Sequence, residues 1–246
     1  MNVSLYQAAS ALSASARWQD VVSQNLASAS IPGFKKQELS FSAIQAGVMP
    51  SQGGATPVAL PRATAATSFQ PGEVRATGVN TDVAIDGAGF FEVQLPNGAP
   101  AYTRDGEFQI NAQNQLVTKQ GWPVLGTSGP IQLDRANPAP LSIAPTGEVS
   151  QGSALKGKLK VVSFDQPQLL RNIGGGNFLA DNPNLQANTV AQPALRQGCL
   201  EGANTSSVLE MANLIRVMRG FEANQHLIQI QDDRMGKAIS DLGNPS

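Results

Sequence analysis

The sequence predicts an α+β protein: long N- and C-terminal helices pair as a coiled-coil-like domain, and the middle of the chain forms an antiparallel all-β domain. Two observations carry this. Both ends repeat apolar residues at intervals of seven, while the middle alternates short apolar runs with glycine-containing turn dipeptides. The implied division is residues 1–30 and 203–246 as the helical region, 31–76 as an extended connector and 77–202 as the β domain.

From Val3 to about Ser30 there is no glycine and no proline, and Leu5, Leu12 and Leu26 share one seven-residue repeat in which Gln19 is the gap. Ala8, Ser15, Val22 and Ala29 supply the companion repeat. Together they make a narrow stripe, which is the pattern of a coiled-coil seam rather than the broad face of a core helix.

The other end repeats the pattern more strongly. Leu214, Phe221, Ile228, Met235 and Leu242 fall on one heptad series, with Met211, Met218 and Ile239 on a neighbouring seam interrupted by Gln225 and Asp232. Ile215 completes the set of candidate interface residues. Ser207 and Glu210 have capping-box spacing, and Gly243 followed by Pro245 makes a stop. A helix from Asn204 to Leu242 would be roughly 55–60 Å long at 1.5 Å per residue. That is more helix than a globule of this size can cover, so partners are expected outside it.

Between the ends, strands are predicted at Thr81–Ile85, Phe91–Leu95, Tyr102–Arg104, Phe108–Ile110 and Gln115–Thr118, with others at Pro130–Asp134, Leu141–Ala144 and Lys158–Phe164. Asn97-Gly98 and Asp105-Gly106 accept the positive φ of tight hairpin turns. The stretch Gly47–Thr67, rich in small residues and prolines, lacks periodicity and is expected to be an extended connector. A second such stretch runs from Gly174 to Pro193.

Composition narrows the function classes. The 246 residues carry 17 basic and 18 acidic side chains, for a net charge of −1 with no basic stripe, which argues against nucleic acid as a partner. The hydrophobic content of 41% is enough for a real core. One cysteine, Cys199, excludes a disulfide framework or a multi-cysteine metal site. Residues 1–16 lack the basic and apolar regions of a signal peptide, and no segment reaches the roughly 20 apolar residues of a membrane span.

Catalytic chemistry is hard to assemble from these residues. His226 is the only histidine, four residues after Glu222 on the C-terminal helix, where an intrahelical pair or a solvated position suffices. Cys199 has no second histidine to activate it. Gly87 and Gly89 resemble half of a dinucleotide fingerprint, but a strand follows them instead of a helix. Asp82, Asp86 and Asp105 lack the alternating spacing of a calcium loop and read as turn formers. No catalytic, metal or cofactor site is expected.

Three segments resemble a known family. Gln24-Asn25-Leu26-Ala27, continuing through Pro32-Gly33-Phe34-Lys35, is similar to the signature with which bacterial flagellar rod and hook proteins leave their N-terminal helix. Thr77-Gly78, Asp82-Val83-Ala84-Ile85-Asp86-Gly87 and Gly89-Phe90-Phe91, then Tyr102-Thr103-Arg104-Asp105-Gly106, resemble the family's β motif. Leu200-Glu201, Asn204, Glu210-Met211, Leu214-Ile215, Arg219, Phe221-Glu222, Ile228, Asp233 and Met235 resemble its C-terminal helix. Ser28, Ser30, Ile31, Ala203 and His226 depart from the family pattern.

The resemblance implies a structural subunit of the flagellar basal-body rod, without enzymatic activity or cofactor. Length and the short connector place it nearest a proximal rod subunit, then a distal one, with the longer hook protein last. Implied partners are copies of itself, other proximal and distal rod and hook–basal-body proteins, and the flagellar type III export apparatus. The implied location is the periplasmic rod, after export without a cleaved signal. The candidate interface is Leu5, Leu12, Val22, Leu26, Met211, Leu214, Ile215, Met218, Phe221, Ile228, Met235, Ile239 and Leu242. A secreted β-rich binding module or adhesin with helical tethers is the alternative; it explains the middle but not the paired heptads.

Overall fold

The computed structural model describes residues 3–51, 54–135 and 137–243, with side chains over 9–42, 62–135, 137–237 and 240. It is α+β, and it divides into two compact units. The first is made of residues 1–27, 37–67 and 207–246, the second of residues 28–36 and 68–206.

The first unit holds the helices α1 (Val3–Ser28) and α2 (Ser207–Gly243) together with a long hairpin of β1 (Gln37–Ser51) and β2 (Gly54–Thr67). Gln37 pairs with Thr67 at one end and Ser51 with Gly54 at the other, with a bulge between Gln45 and Gly47. The expected connector is therefore largely a paired ribbon. Its small residues and prolines gave no alternation to read, whereas the backbone pairs along its length. Pro50, Pro57 and Pro61 are compatible with it because a two-stranded ribbon has two outer edges at which no N–H is needed.

Side chains dock α1 on this ribbon. The Trp18 and Phe41 rings meet edge to face with centroids 5.8 Å apart, and Arg17 Nη1 donates to Ala63 O at 3.2 Å. An aromatic pair of this geometry contributes about 0.5–1.5 kcal/mol beyond its buried area.

The second unit is built on an antiparallel six-stranded sheet. In chain order its short strands begin with β3 (Val74–Ala76), β4 (Val83–Ile85), β5 (Phe90–Gln94) and β6 (Pro100–Thr103). Next come β7 (Gln109–Ile110), β8 (Leu116–Val117), β9 (Leu125–Gly126), β10 (Gly129–Pro130), β11 (Leu141–Ile143), β12 (Glu148–Gln151), β13 (Ala154–Lys158) and β14 (Val161–Ser163). The last are β15 (Arg171–Gly174), β16 (Asn177–Leu179), β17 (Asn188–Thr189), β18 (Leu195–Gln197) and β19 (Cys199–Glu201). The sheet order is β15-β16-β6-β5-β14-β17, so residues 174–193, expected to be extended, contribute strands to it. β3 pairs with β19, which carries the β unit upstream of residue 77.

Alternation along the strands covers both faces of the sheet. Phe91, Val93 and Val161 join Val83, Ile85, Phe108, Leu116 and Leu159 in one core. Their neighbours Phe90 and Val162 join Tyr102, Phe164, Leu170 and Phe178 in the other. Phe91 meets Phe108 at 5.1 Å, while Phe90 sits within 5.9 Å of Phe69, Phe164 and Phe178.

Candidate functional site

Three stretches far apart in sequence meet in the second unit: residues 31–36, 68–73 and 199–204. Gly33 N–H donates to Glu201 O at 2.7 Å, and Asn204 N–H donates to Phe34 O at 3.2 Å. The Asn204 side chain joins all three, accepting from Lys36 N–H at 2.7 Å and donating to Ser68 O at 2.8 Å. Gly33 is dictated twice over. Its φ is +66°, and a Cβ there would lie 2.3 Å from the Arg104 carbonyl carbon. Gly106 is equally constrained, since a Cβ would meet Val83 O at 1.7 Å.

A buried charge cluster lies at this crossing. Glu201 Oε1 accepts from Lys35 Nζ at 2.5 Å and from Gly72 N–H at 2.8 Å, while its Oε2 accepts from Arg104 Nη1 at 3.1 Å. Lys35, Arg104 and Glu201 are 0%, 6% and 2% exposed, so water screens none of them. Two cations thus share one carboxylate. The surplus charge is shared with main-chain acceptors: Lys35 Nζ donates to Gln70 O at 2.8 Å and Arg104 Nη2 to Gly87 O at 2.7 Å. The guanidinium also lies 5.4 Å from the Phe90 ring centroid, a cation–π distance. Burial pulls the Lys35 ammonium below its ordinary pKa, against the hydrogen bond and charge of Glu201; burial lowers Arg104 too, with Glu201 again opposing.

In the first unit, α2 presents different chemistry around its circumference. One face is covered along the helix: Glu210 and Val217 are 3% and 1% exposed, and Leu214, Phe221, Asn224, Ile228 and Gln231 are part-buried. Asn224 Nδ2 on this face donates to Ser15 Oγ of α1 at 3.3 Å. On α1, Ala14, Val22 and Asn25 are buried among the described side chains. The remaining faces of α2 expose Val208, Met211, Ile215 and Met218 near its start, and Leu227 and Ile230 further along.

These features coincide with matches to known proteins. Residues 84–151 match the family described as flagellar hook protein FlgE/F/G D1 domain, and residues 196–241 match flagellar basal body rod FlgEFG protein C-terminal. The chain is 33% identical over 226 residues to the flagellar basal-body rod protein FlgF of Caulobacter vibrioides, covering 91% of each. It is 32% identical to FlgF of Escherichia coli over 97% of each chain, and 30% identical to the rod protein FlgG of Borreliella burgdorferi over 95% of this chain and 96% of that one. The chain belongs to the flagellar basal-body rod protein family. It is a structural subunit and not an enzyme.

The rod-family signature residues fall into distinct roles. Gly33, Phe34 and Arg104 belong to the crossing, with Gly87 supplying a carbonyl and Phe90 a ring, while Gly106 lies against Val83 of β4. Asp82 and Ala84 are buried in or beside β4, where Asp82 accepts from Thr77 Oγ1 at 2.7 Å. Gly89 leads into β5, and Tyr102 packs on Phe164 at 4.8 Å. Asn25 is buried and Leu26 half-buried on α1. Arg219 and Glu222 are exposed on α2.

The candidate interface residues of this rod-family chain separate by face. Val22 is buried, and Leu12, Leu26, Leu214, Phe221 and Ile228 are part-buried. Met211, Ile215, Met218 and Met235 are exposed. The side chains of Leu5, Ile239 and Leu242 lie outside the described residues. The heptad series accompanying Leu214 on the covered face is Glu210, Val217, Asn224 and Gln231, while the Met211 and Met218 series lies open. Both series sit three or four residues from the Leu214 line, and the more apolar one is the one left open.

Lys35, Glu201, Asn204, Trp18 and Val217 were missed as functional positions. Lys35 and Glu201 stand inside the signature segments, yet at a sequence separation of 166 only their charges hinted at a pair. The aspartates entertained as ligands have other partners: Asp86 pairs with Arg196 at 2.5 Å, and Asp105 Oδ1 accepts from Glu107 N–H at 2.9 Å. Among the described residues no helix is long and apolar enough to cross a membrane.

Proposed function

We propose that this rod subunit polymerises through α1 and α2, which pair as a coiled-coil-like domain and bury their remaining apolar faces against copies of the chain and other rod proteins. The observation that carries the reading is the open face of α2. Val208, Met211, Ile215 and Met218 are 80%, 53%, 55% and 47% exposed at spacings of three and four residues, a second seam beside the covered one. Leaving four large side chains wet costs roughly 25 cal/mol per Å² of apolar surface that burial would recover.

The β unit is then the rigid body that each subunit carries, locked by the Lys35–Glu201–Arg104 cluster. A proximal rod position is the finer reading, resting on chain length and on relatives that align from end to end. Passage through the flagellar type III export apparatus without a cleaved signal, into a periplasmic drive shaft and channel, follows from that assignment. An adhesin with helical tethers is not favoured, because the relatives match through both helical ends as well as the middle.

The test is Ile215→Asp in the full chain. Because Ile215 is open, the monomer should keep its helicity and melting temperature while recovery in purified basal bodies is lost. Normal recovery would overturn the reading.

A further inference from the structure

Besides its covered face, α2 carries two short open apolar series. The first is Val208, Met211, Ile215 and Met218; the second is Gly220, Ala223, Leu227 and Ile230, all of them exposed. Both have the spacing three, four, three. At 3.6 residues per turn the two series and the covered face lie about a third of a turn apart, so one helix offers three separate seams. The two open series differ in bulk: the first has four large side chains, while the second opens with glycine and alanine.

Gly220 is unexplained by the chain itself. It lies inside α2, where glycine is less favourable than alanine, and a Cβ there would meet nothing within 4 Å. The free space lies on the second series, beside the notch that Ala223 continues.

Charge agrees with the fit of one series on the other. Following the first series along the helix, the next position is Glu222; following the second, it is Arg234. Both are exposed, and neither has an ion-pair partner among the described residues. If the first series of one helix is laid parallel on the second series of another, displaced by twelve residues, Val208 faces Gly220, Met211 faces Ala223, Ile215 faces Leu227, and Met218 faces Ile230. Glu222 then faces Arg234. The displacement is about 18 Å at 1.5 Å per residue.

We infer that the α2 helices of successive copies of this chain pack in parallel, the Val208–Met218 series of one on the Gly220–Ile230 series of the next, with Glu222 paired to Arg234. The contact is heterologous: each copy uses one surface as donor and a different one as acceptor. Repeating it leaves both surfaces free at opposite ends and so builds an open polymer of one polarity rather than a closed dimer. This rests on the polymerisation reading above and adds its register.

Charge reversal in cells tests the register. Glu222→Arg and Arg234→Glu should each reduce recovery of the chain in basal bodies by about tenfold, since like charges then face each other, and the double reversal should restore it. Rescue of Glu222→Arg by Arg216→Glu instead would indicate antiparallel packing and overturn the inference, as would single reversals without effect or a double reversal that fails to rescue.

A second measurement does not depend on charge. In a Cys199→Ser background, Met211→Cys with Ala223→Cys should give, on oxidation of isolated basal bodies, a ladder containing this chain alone, and Ile215→Cys with Ala223→Cys should not. No ladder, or bands containing a different protein, would overturn the inference. Gly220→Leu should leave the monomer folded and stop assembly; normal assembly would likewise overturn it. If Ile215→Asp blocks assembly while these pairwise tests fail, only the register is wrong. If Ile215→Asp assembles normally, the polymerisation reading itself fails.

Discussion

Asn25 makes with its side chain both hydrogen bonds that a neighbouring strand would make to Gln37. Gln37 N–H donates to Asn25 Oδ1 at 2.9 Å, and Asn25 Nδ2 donates to Gln37 O at 2.9 Å. The carboxamide stands in for a peptide group and closes the first residue of β1 on α1. At the preceding residue, in the second unit, the Asn204 carboxamide likewise accepts from Lys36 N–H. Two asparagines thus satisfy consecutive backbone groups at a point where no sheet continues past them.

Asn25→Leu should therefore destabilise the first unit by about 1–3 kcal/mol, since a buried donor and acceptor lose their partners together. Asn25→Asp keeps the acceptor but loses the donor, and should also be destabilising. Amide exchange at Gln37, read with thermal unfolding, checks this; unchanged protection in the leucine variant would rule out the clamp.

Glu201→Gln should cost the β unit roughly 3–5 kcal/mol, because two buried cations would be left without their anion. Lys35→Met should be milder, since Glu201 keeps Arg104. Denaturant unfolding of the two variants would check the order, and a reversed order would show that the amide is tolerated at this crossing.

Asp105 gives the β unit a pH dependence of definite sign. Burial, foremost, raises its carboxyl from 3.8 to about 6, against the hydrogen bond from Glu107 N–H. Folding therefore disfavours the ionised form. The stability tied to the protonated acid is fully present below pH 3.8 and is lost as the pH rises through about 6. At neutral pH the cost is about 3 kcal/mol. Asp105→Asn retains an oxygen for Glu107 N–H, so it should raise the melting temperature at pH 8 and give little gain at pH 4.5. An equal gain at both values would refute a titrating Asp105.

Val217 and Ile215 are two residues apart on α2 but are 1% and 55% exposed. Val217→Asp would bury an unpaired charge and should lower the helicity of the monomer, whereas Ile215→Asp should leave it unchanged. Circular dichroism of the two monomers distinguishes them, and equal losses would show that both faces are covered in the free chain.

Much of this molecule is legible in its residues alone. The helical ends follow from heptad spacing, and the observed helices Val3–Ser28 and Ser207–Gly243 lie within a few residues of those expected. The strands around Val83, Phe91, Tyr102 and Leu116 follow from local alternation and from the Asn97-Gly98 turn, where Gly98 has a φ of +82°. Such properties depend on neighbours in the chain, and a sequence records neighbours directly. Gly106, expected in a second such turn, does not take a positive φ and is held to glycine by the approach of Val83 O instead.

Other features depend on which distant groups meet. Heptad spacing drew a stripe through Leu214 but could not tell whether the series of Val217 or that of Met218 would be covered, because both flank that stripe equally; packing alone chose Val217. The ribbon of Gln37–Ser51 and Gly54–Thr67 left no apolar pattern, since main-chain pairing is indifferent to side chains. Lys35 and Glu201 carry opposite charges in any conformation. Only the tertiary structure brings them to 2.5 Å in a place closed to solvent, where that charge difference becomes a structural bond.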